Sequence, residues 1–238
     1  EIDWIGLGRG VFMFSNEINT SYRLFNKNSN ENRNQNNEFE EFDKYLLLGD
    51  SYVKWKPIKH PQYGDIEIGG TKRNYIRNTP GFLLEEEGHR NMAFTMLHAY
   101  HMPKLEIIDI KSKALANGLT EVTAIVQNQR AIPTHSAHDI RFKIERPDYI
   151  TLKNAQVVAG MVVENEDLGI TREQKYNPQT IEVANIPGTV GGGGGGGPFG
   201  GGGGGGNTVK VRWIVKGKAD KWTVEVDSRK GGVITKTM

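Results

Sequence analysis

A carboxylate, Glu17, closes the stretch "GRGVFMFSNEI", where four large apolar residues, Val11, Phe12, Met13 and Phe14, lead through Ser15 and Asn16 into a charge. A carboxylate avoids apolar surroundings, because losing its water costs far more than a neutral side chain gains there. Glu17 is therefore either an exposed residue at the end of a strand or a charge kept for a purpose. Two pairs of histidines have a spacing that could grip a metal ion: His98 with His101, and His135 with His138, the latter beside Asp139. Neither pair comes with an obvious third ligand, and the chain has no His-Glu-x-x-His signature. His101 falls at a helix end beside Pro103, where a cation suits the helix dipole. Solvated or hydrogen-bonded structural histidines are the better account of both pairs.

The other candidates carry less. Glu67 in "GDIEIGG" alternates with Ile66 and Ile68, so it points away from them, either to solvent or into a cleft. Glu85, Glu86 and Glu87 read as the acidic first turn of a helix. The glycines of "GLGRG" lack the strand, turn and helix of a dinucleotide fingerprint and read as a tight turn, and no Gly-Lys-Ser or Gly-Lys-Thr follows the polyglycine tract. The chain has 0 cysteines, which excludes disulfides, a thiol nucleophile and cysteine-ligated metals. Its 30 basic and 28 acidic residues are mixed along the sequence, net +2, so nothing calls for nucleic acid or an anionic membrane. No apolar run approaches the ~20 residues that a membrane span needs.

The elements that must position these residues fall into two kinds. The opening 25 residues read as short extended structure, and the polar run 26–37, "NKNSNENRNQNN", as a disordered surface loop. "HPQYGDIEIGG" reads as a turn followed by a short strand. After Pro80 the period becomes helical, with Met92, Met96 and Tyr100 on one apolar stripe and Pro103 as the stop. Beyond Pro103 the period becomes two. Strands are expected near 105–110, 120–128, 155–163 and 180–184, and in "DIRFKIE", "VKVRWIV" and "WTVEV", which together make an antiparallel β-sandwich. A polyglycine loop, 191–206, interrupts it without bringing chemistry. The boundary so placed gives domains 1–103 and 104–238.

The order of these features resembles the last part of a zinc carboxypeptidase of the M14 family: "GVFMFSNEI", then "HPQYGDIEIGG", then "TPGFLLEEEGHRNMAFTMLHAYHMP". In that family a late strand of the central sheet delivers the catalytic glutamate and a long final helix packs on the sheet. The resemblance assigns the catalytic role to Glu17, within Phe14-Ser15-Asn16-Glu17-Ile18, and to no other residue of this chain. It implies an α+β fragment of an α/β zinc-carboxypeptidase domain, followed by an Ig-like accessory sandwich beginning "PKLEIIDI". The zinc ligands, the arginines that hold a substrate carboxylate and the tyrosine that closes over it would all lie upstream. The opening Glu1-Ile2-Asp3-Trp4 fits a piece of something longer. What the resemblance implies, then, is a periplasmic or secreted metallocarboxypeptidase acting on the C-terminal residues of peptides. Its partners would be a peptide substrate and the upstream part of its own domain, and it would be inactive without that part. The alternative is a non-catalytic assembly module of an inactive relative.

Overall fold

A computed structural model describes residues 2–16, 18, 40–189, 206–217 and 221–238. The chain divides into two compact units, Glu1–Phe14 with Leu97–Met238, and Ser15–Met96. The polar run 26–37 and residues 191–205 of the polyglycine loop lie outside the described residues.

Helix α1, Ile2–Arg9, stands where short extended structure was expected, and the glycines of "GLGRG" lie mostly inside it. It has no buried residue, and its end is marked by Gly10 at φ +63°, the left-handed C′ position that glycine fills most cheaply. Residues 11–16 run without regular secondary structure, so the expected apolar strand before Glu17 does not form. Its side chains explain the departure: Phe12 and Phe14 are 42% and 52% exposed and bury no face that a strand would present.

The unit Ser15–Met96 contains an antiparallel hairpin, β1 (Tyr52–His60) with β2 (Gly64–Thr71), then the short helix α2 (Arg73–Arg77) and most of helix α3 (Leu84–Tyr100). The turn before β2 and β2 itself match the reading of "HPQYGDIEIGG". Helix α3 begins behind a 3-10 turn, Gly81–Leu83, and carries Glu85, Glu86 and Glu87 in its first turn as expected. Its stripe is uncovered, however: none of its residues is buried, and Met92, Met96 and Tyr100 are 51%, 62% and 58% exposed. Among the described residues no helix is long and apolar enough to cross a membrane.

The unit of Glu1–Phe14 with Leu97–Met238 is an antiparallel β-sandwich. One sheet has five strands in the order β3 (Leu105–Ala114), β4 (Leu119–Asn128), β9 (Thr208–Lys216), β6 (Gln156–Asn165), β7 (Ile170–Glu173). The other has four, in the order β11 (Gly232–Thr237), β10 (Thr223–Ser228), β5 (Asp148–Lys153), β8 (Thr180–Val183). The central strands show why a period of two builds this fold. In β4 the residues Val122, Ala124 and Val126 are fully buried while those between them are half-buried, and β9 does the same with Val211, Trp213 and Val215. Ile150 and Leu152 of β5 and Val224 and Val226 of β10 meet them from the facing sheet in one continuous core. The β3–β4 hairpin turns through Asn117 and Gly118, both at positive φ, as a two-residue Asn-Gly turn requires.

One expected strand is a helix. "DIRFKIE" lies largely in helix α4, Ala137–Phe142, whose N-cap Ser136 accepts a hydrogen bond from the Asp139 amide at 3.1 Å. The local cap overrides the alternation of Ile140, Phe142 and Ile144, and Phe142 is left 58% exposed. Strands β5, β7 and β11 were not anticipated. β7 is exposed throughout and has no apolar alternation to read.

Candidate functional site

Glu17 lies outside the described residues. The residue before it is placed: Asn16 donates from its amide nitrogen to Asn91 Oδ1 at 2.9 Å, and Asn91 in turn donates to the Glu87 carbonyl one turn earlier in α3. Asn16 is thus joined to the helix by one exposed side-chain hydrogen bond, a connection that sequence spacing does not reveal.

The most buried polar cluster sits at the edge of the sandwich, around α4. His135 Nδ1 lies 2.7 Å from Asp139 Oδ2, and His135 Nε2 lies 3.3 Å from Asp148 Oδ1. The three residues are 4%, 1% and 0% exposed. Asp139 Oδ1 accepts from the Glu145 amide at 2.9 Å, and Lys230, from the β10–β11 turn, reaches Asp139 Oδ2 at 3.3 Å. Local sequence builds this arrangement. His135 directly precedes the N-cap of α4, Asp139 lies in its first turn, and Asp148 begins β5 on the same phase as buried Ile150 and Leu152.

Electrostatics decides what the cluster does. Burial pushes the His135 imidazole towards its neutral form, but hydrogen bonds and attraction from Asp148 and Asp139 outweigh it, and its pKa is raised above the ordinary 6.5. Burial raises the carboxyl of Asp139, and the hydrogen bonds from His135 and the Glu145 amide, with the charges of His135 and Lys230, outweigh it and leave the pKa lowered from 3.8. Each ring nitrogen faces a carboxylate oxygen, an arrangement that the imidazolium satisfies by donating from both. Each ring nitrogen of the imidazole is thus occupied, and Lys230 adds a partly exposed cation beside Asp139. The cluster holds structure; it leaves no ring nitrogen open to a substrate.

The remaining candidates separate. His138 turns away from His135 and donates from Nε2 to the Leu7 carbonyl at 3.1 Å. His98 packs edge-on against Phe14 with ring centroids 4.3 Å apart, while His101 stacks edge-on with Tyr100 and has a buried Nδ1 without a partner. Glu67 is exposed on β2. Among the described residues no group of three or more histidine, aspartate or glutamate side chains is arranged to hold a metal ion. Asp148 and Lys230 were missed as members of the cluster. Asp148 had a readable signal, a carboxylate on the apolar phase of "DYITLK". Lys230 had none, since it lies 91 residues from Asp139 in the chain.

A family model described as a domain of unknown function (DUF8731) matches residues 104–238. No curated protein matches the chain.

Proposed function

We propose, from the premise that this chain belongs to the DUF8731 family, that it forms the late part of a metallocarboxypeptidase together with an accessory β-sandwich. On this reading the protein is periplasmic or secreted and releases C-terminal residues from peptides. Glu17 is its proton carrier, accepting a proton from the attacking water and passing it to the leaving amine. The zinc and the groups that hold it belong to polypeptide outside these 238 residues, and the residues described here contribute no ligand.

The observation that carries this reading, beside the order of the sequence motifs, is the thin core of the unit Ser15–Met96. Its buried large apolar side chains among the described residues are Phe42 and Leu47, whereas Trp55, Phe82, Leu84, Met92 and Met96 are all between 51% and 62% exposed. Large apolar side chains left this exposed are a reason to expect that something covers them. On this reading the occupant is the body of a carboxypeptidase domain, against whose sheet a final helix packs.

The test is an assay for release of C-terminal residues, run on residues 1–238 alone and on a protein that joins them to a zinc-holding upstream part. The first should be inactive and the second active, with Glu17→Gln lowering kcat by about 10²–10⁴-fold. Hydrolysis by residues 1–238 alone, or a Glu17→Gln enzyme at full rate, would overturn the reading. An inactive joined protein that folds would favour the assembly module instead.

A further inference from the structure

Around α2 the chain builds a polar cleft of about 530 Å³, inside the span of small-ligand sites, about 300–1,000 Å³. Asp50, Lys72, Asn74, Tyr75 and Asn78 line it together with residues 79–81, all within the unit Ser15–Met96. Backbone hydrogen bonds hold its frame. The Lys72 amide donates to the Ser51 carbonyl at 2.7 Å, and the Ser51 amide donates to Asp43 Oδ1 at 2.9 Å. The Tyr75 amide donates to the Lys72 carbonyl at 3.1 Å, and the Asn78 amide to the Asn74 carbonyl at 3.0 Å. On this frame Lys72 Nζ donates to Asp50 Oδ1 at 2.7 Å, and the Tyr75 hydroxyl donates to Asp50 Oδ2. One carboxylate thus joins the turn before β1 to α2.

The electrostatics suit binding rather than reaction. The hydrogen bond from Lys72, then that from Tyr75, holds the Asp50 carboxyl below its ordinary 3.8. The bond to Asp50 likewise holds Tyr75 above its ordinary 10.0 and Lys72 above its ordinary 10.5. Near neutral pH the cleft therefore carries a carboxylate, an ammonium and a neutral phenol, its charges cancel, and no nucleophile is poised in it. What stays unused is hydrogen-bonding capacity of both signs. Asn74 and Asn78 are exposed, and their side chains make no hydrogen bond among the described residues. Each amide offers donors and an acceptor, Lys72 keeps further N–H groups, and Asp50 keeps further lone pairs.

That inventory selects a class of ligand. An ion would have to break the Asp50–Lys72 pair or leave its own charge unbalanced. An anion would also meet Glu85, Glu86 and Glu87, which follow closely in the chain. A hydroxyl donates and accepts at once, so a molecule carrying several can use the mixed groups without disturbing the pair. We propose that this cleft binds a neutral saccharide through Asp50, Lys72, Asn74 and Asn78. The site is independent of the peptidase reading and does not fall with it.

Titration of isotope-labelled residues 1–238 with glucose, N-acetylglucosamine and maltose, followed by amide NMR shifts, tests the proposal. The amides of Asp50, Lys72, Asn74, Tyr75 and Asn78 should shift saturably, with a Kd on the order of 1 mM for a ligand of so few atoms. Amides of β4 and β9 should stay in place. Asn74→Ala and Asn78→Ala remove no side-chain hydrogen bond within the described protein, so the spectrum should remain that of the folded chain. Each should weaken binding roughly two- to tenfold, the worth of one hydrogen bond. Acetate, inorganic phosphate and glycine, as ionic probes, should give no saturable shift at these amides. No saturable shift with any of the three sugars would overturn the site, as would sugar binding that survives both alanine variants intact. Saturation by an ionic probe in place of the sugars would overturn the neutral class of ligand.

Discussion

At His135 two carboxylates compete for one buried imidazole, and the consequence is a dependence on pH whose sign can be worked out. The folded pKa lies above the ordinary 6.5, so the stabilisation is fully present below that value and is lost as the pH rises through the raised folded pKa. For Asp139 the folded pKa lies below 3.8, so its contribution is present above that value and is lost as the pH falls through the lowered one. Calorimetric melting of residues 1–238 should therefore give a transition that is highest in the mildly acidic range and declines into the alkaline range. His135→Gln should flatten the alkaline decline. It should also cost about 3–5 kcal/mol near pH 6, because it leaves buried carboxylates without their cation. A melting temperature that rises steadily from pH 6 to pH 9 in the wild type would contradict this account. The residue scale is also where the sequence was hardest to read. The pair His135 and His138 was visible as a candidate, but histidines three apart carry no sign of which turns inward, and the cations and carboxylates that decide it come from α4, β5 and the β10–β11 turn.

At the scale of elements, the sandwich strands that were legible are those with one face in the core: β3, β4, β6, β8, β9 and β10 each fall where the sequence places them. α4 was misread because three alternating apolar residues look like a strand, while Ser136-Ala137-His138-Asp139 carries the cap that decides for a helix. Stability should follow the same division between packed and open positions. In β6, a Cβ on Gly160 would lie 2.1 Å from the Pro178 carbonyl oxygen and 3.2 Å from Trp213 Cδ1. Gly160→Ala should therefore destabilise the sandwich by about 1–3 kcal/mol, the usual cost of overpacking, as read by denaturant titration. Gly88 is the counterpart in α3. It is exposed, with nothing within 4 Å of its would-be Cβ, so Gly88→Ala should stabilise the helix by roughly 0.5–1 kcal/mol. Equal effects at the two sites would mean that backbone entropy, and not packing, governs both.

At the scale of the whole molecule the two units differ in what they bury. The sandwich encloses one core running from Leu105 to Val226, with Trp213 fully buried in it. In the unit Ser15–Met96 the hairpin and α3 expose the apolar residues that their patterns would lead one to place inside. The periodicity of α3 was legible because it is encoded in Met92, Met96 and Tyr100. Its lack of cover was not, because burial depends on partners that a helical period does not name. Regions with few buried apolar contacts open at lower free energy than the global transition. In residues 1–238, amides of β1, β2 and α3 should accordingly exchange through openings well below the free energy that protects β4 and β9. If the late-carboxypeptidase reading holds, joining the chain to a zinc-holding upstream part should raise protection along α3 selectively, on the face of Met92 and Met96, and leave β4 and β9 as they were. Replacing Met92 and Met96 together with Gln should then leave the isolated chain almost unchanged, since neither residue is buried there, and should weaken the protection gained on joining. The double substitution separates a face that is exposed in the working protein from one that awaits its sheet: a joined protein indifferent to it would place the partner elsewhere.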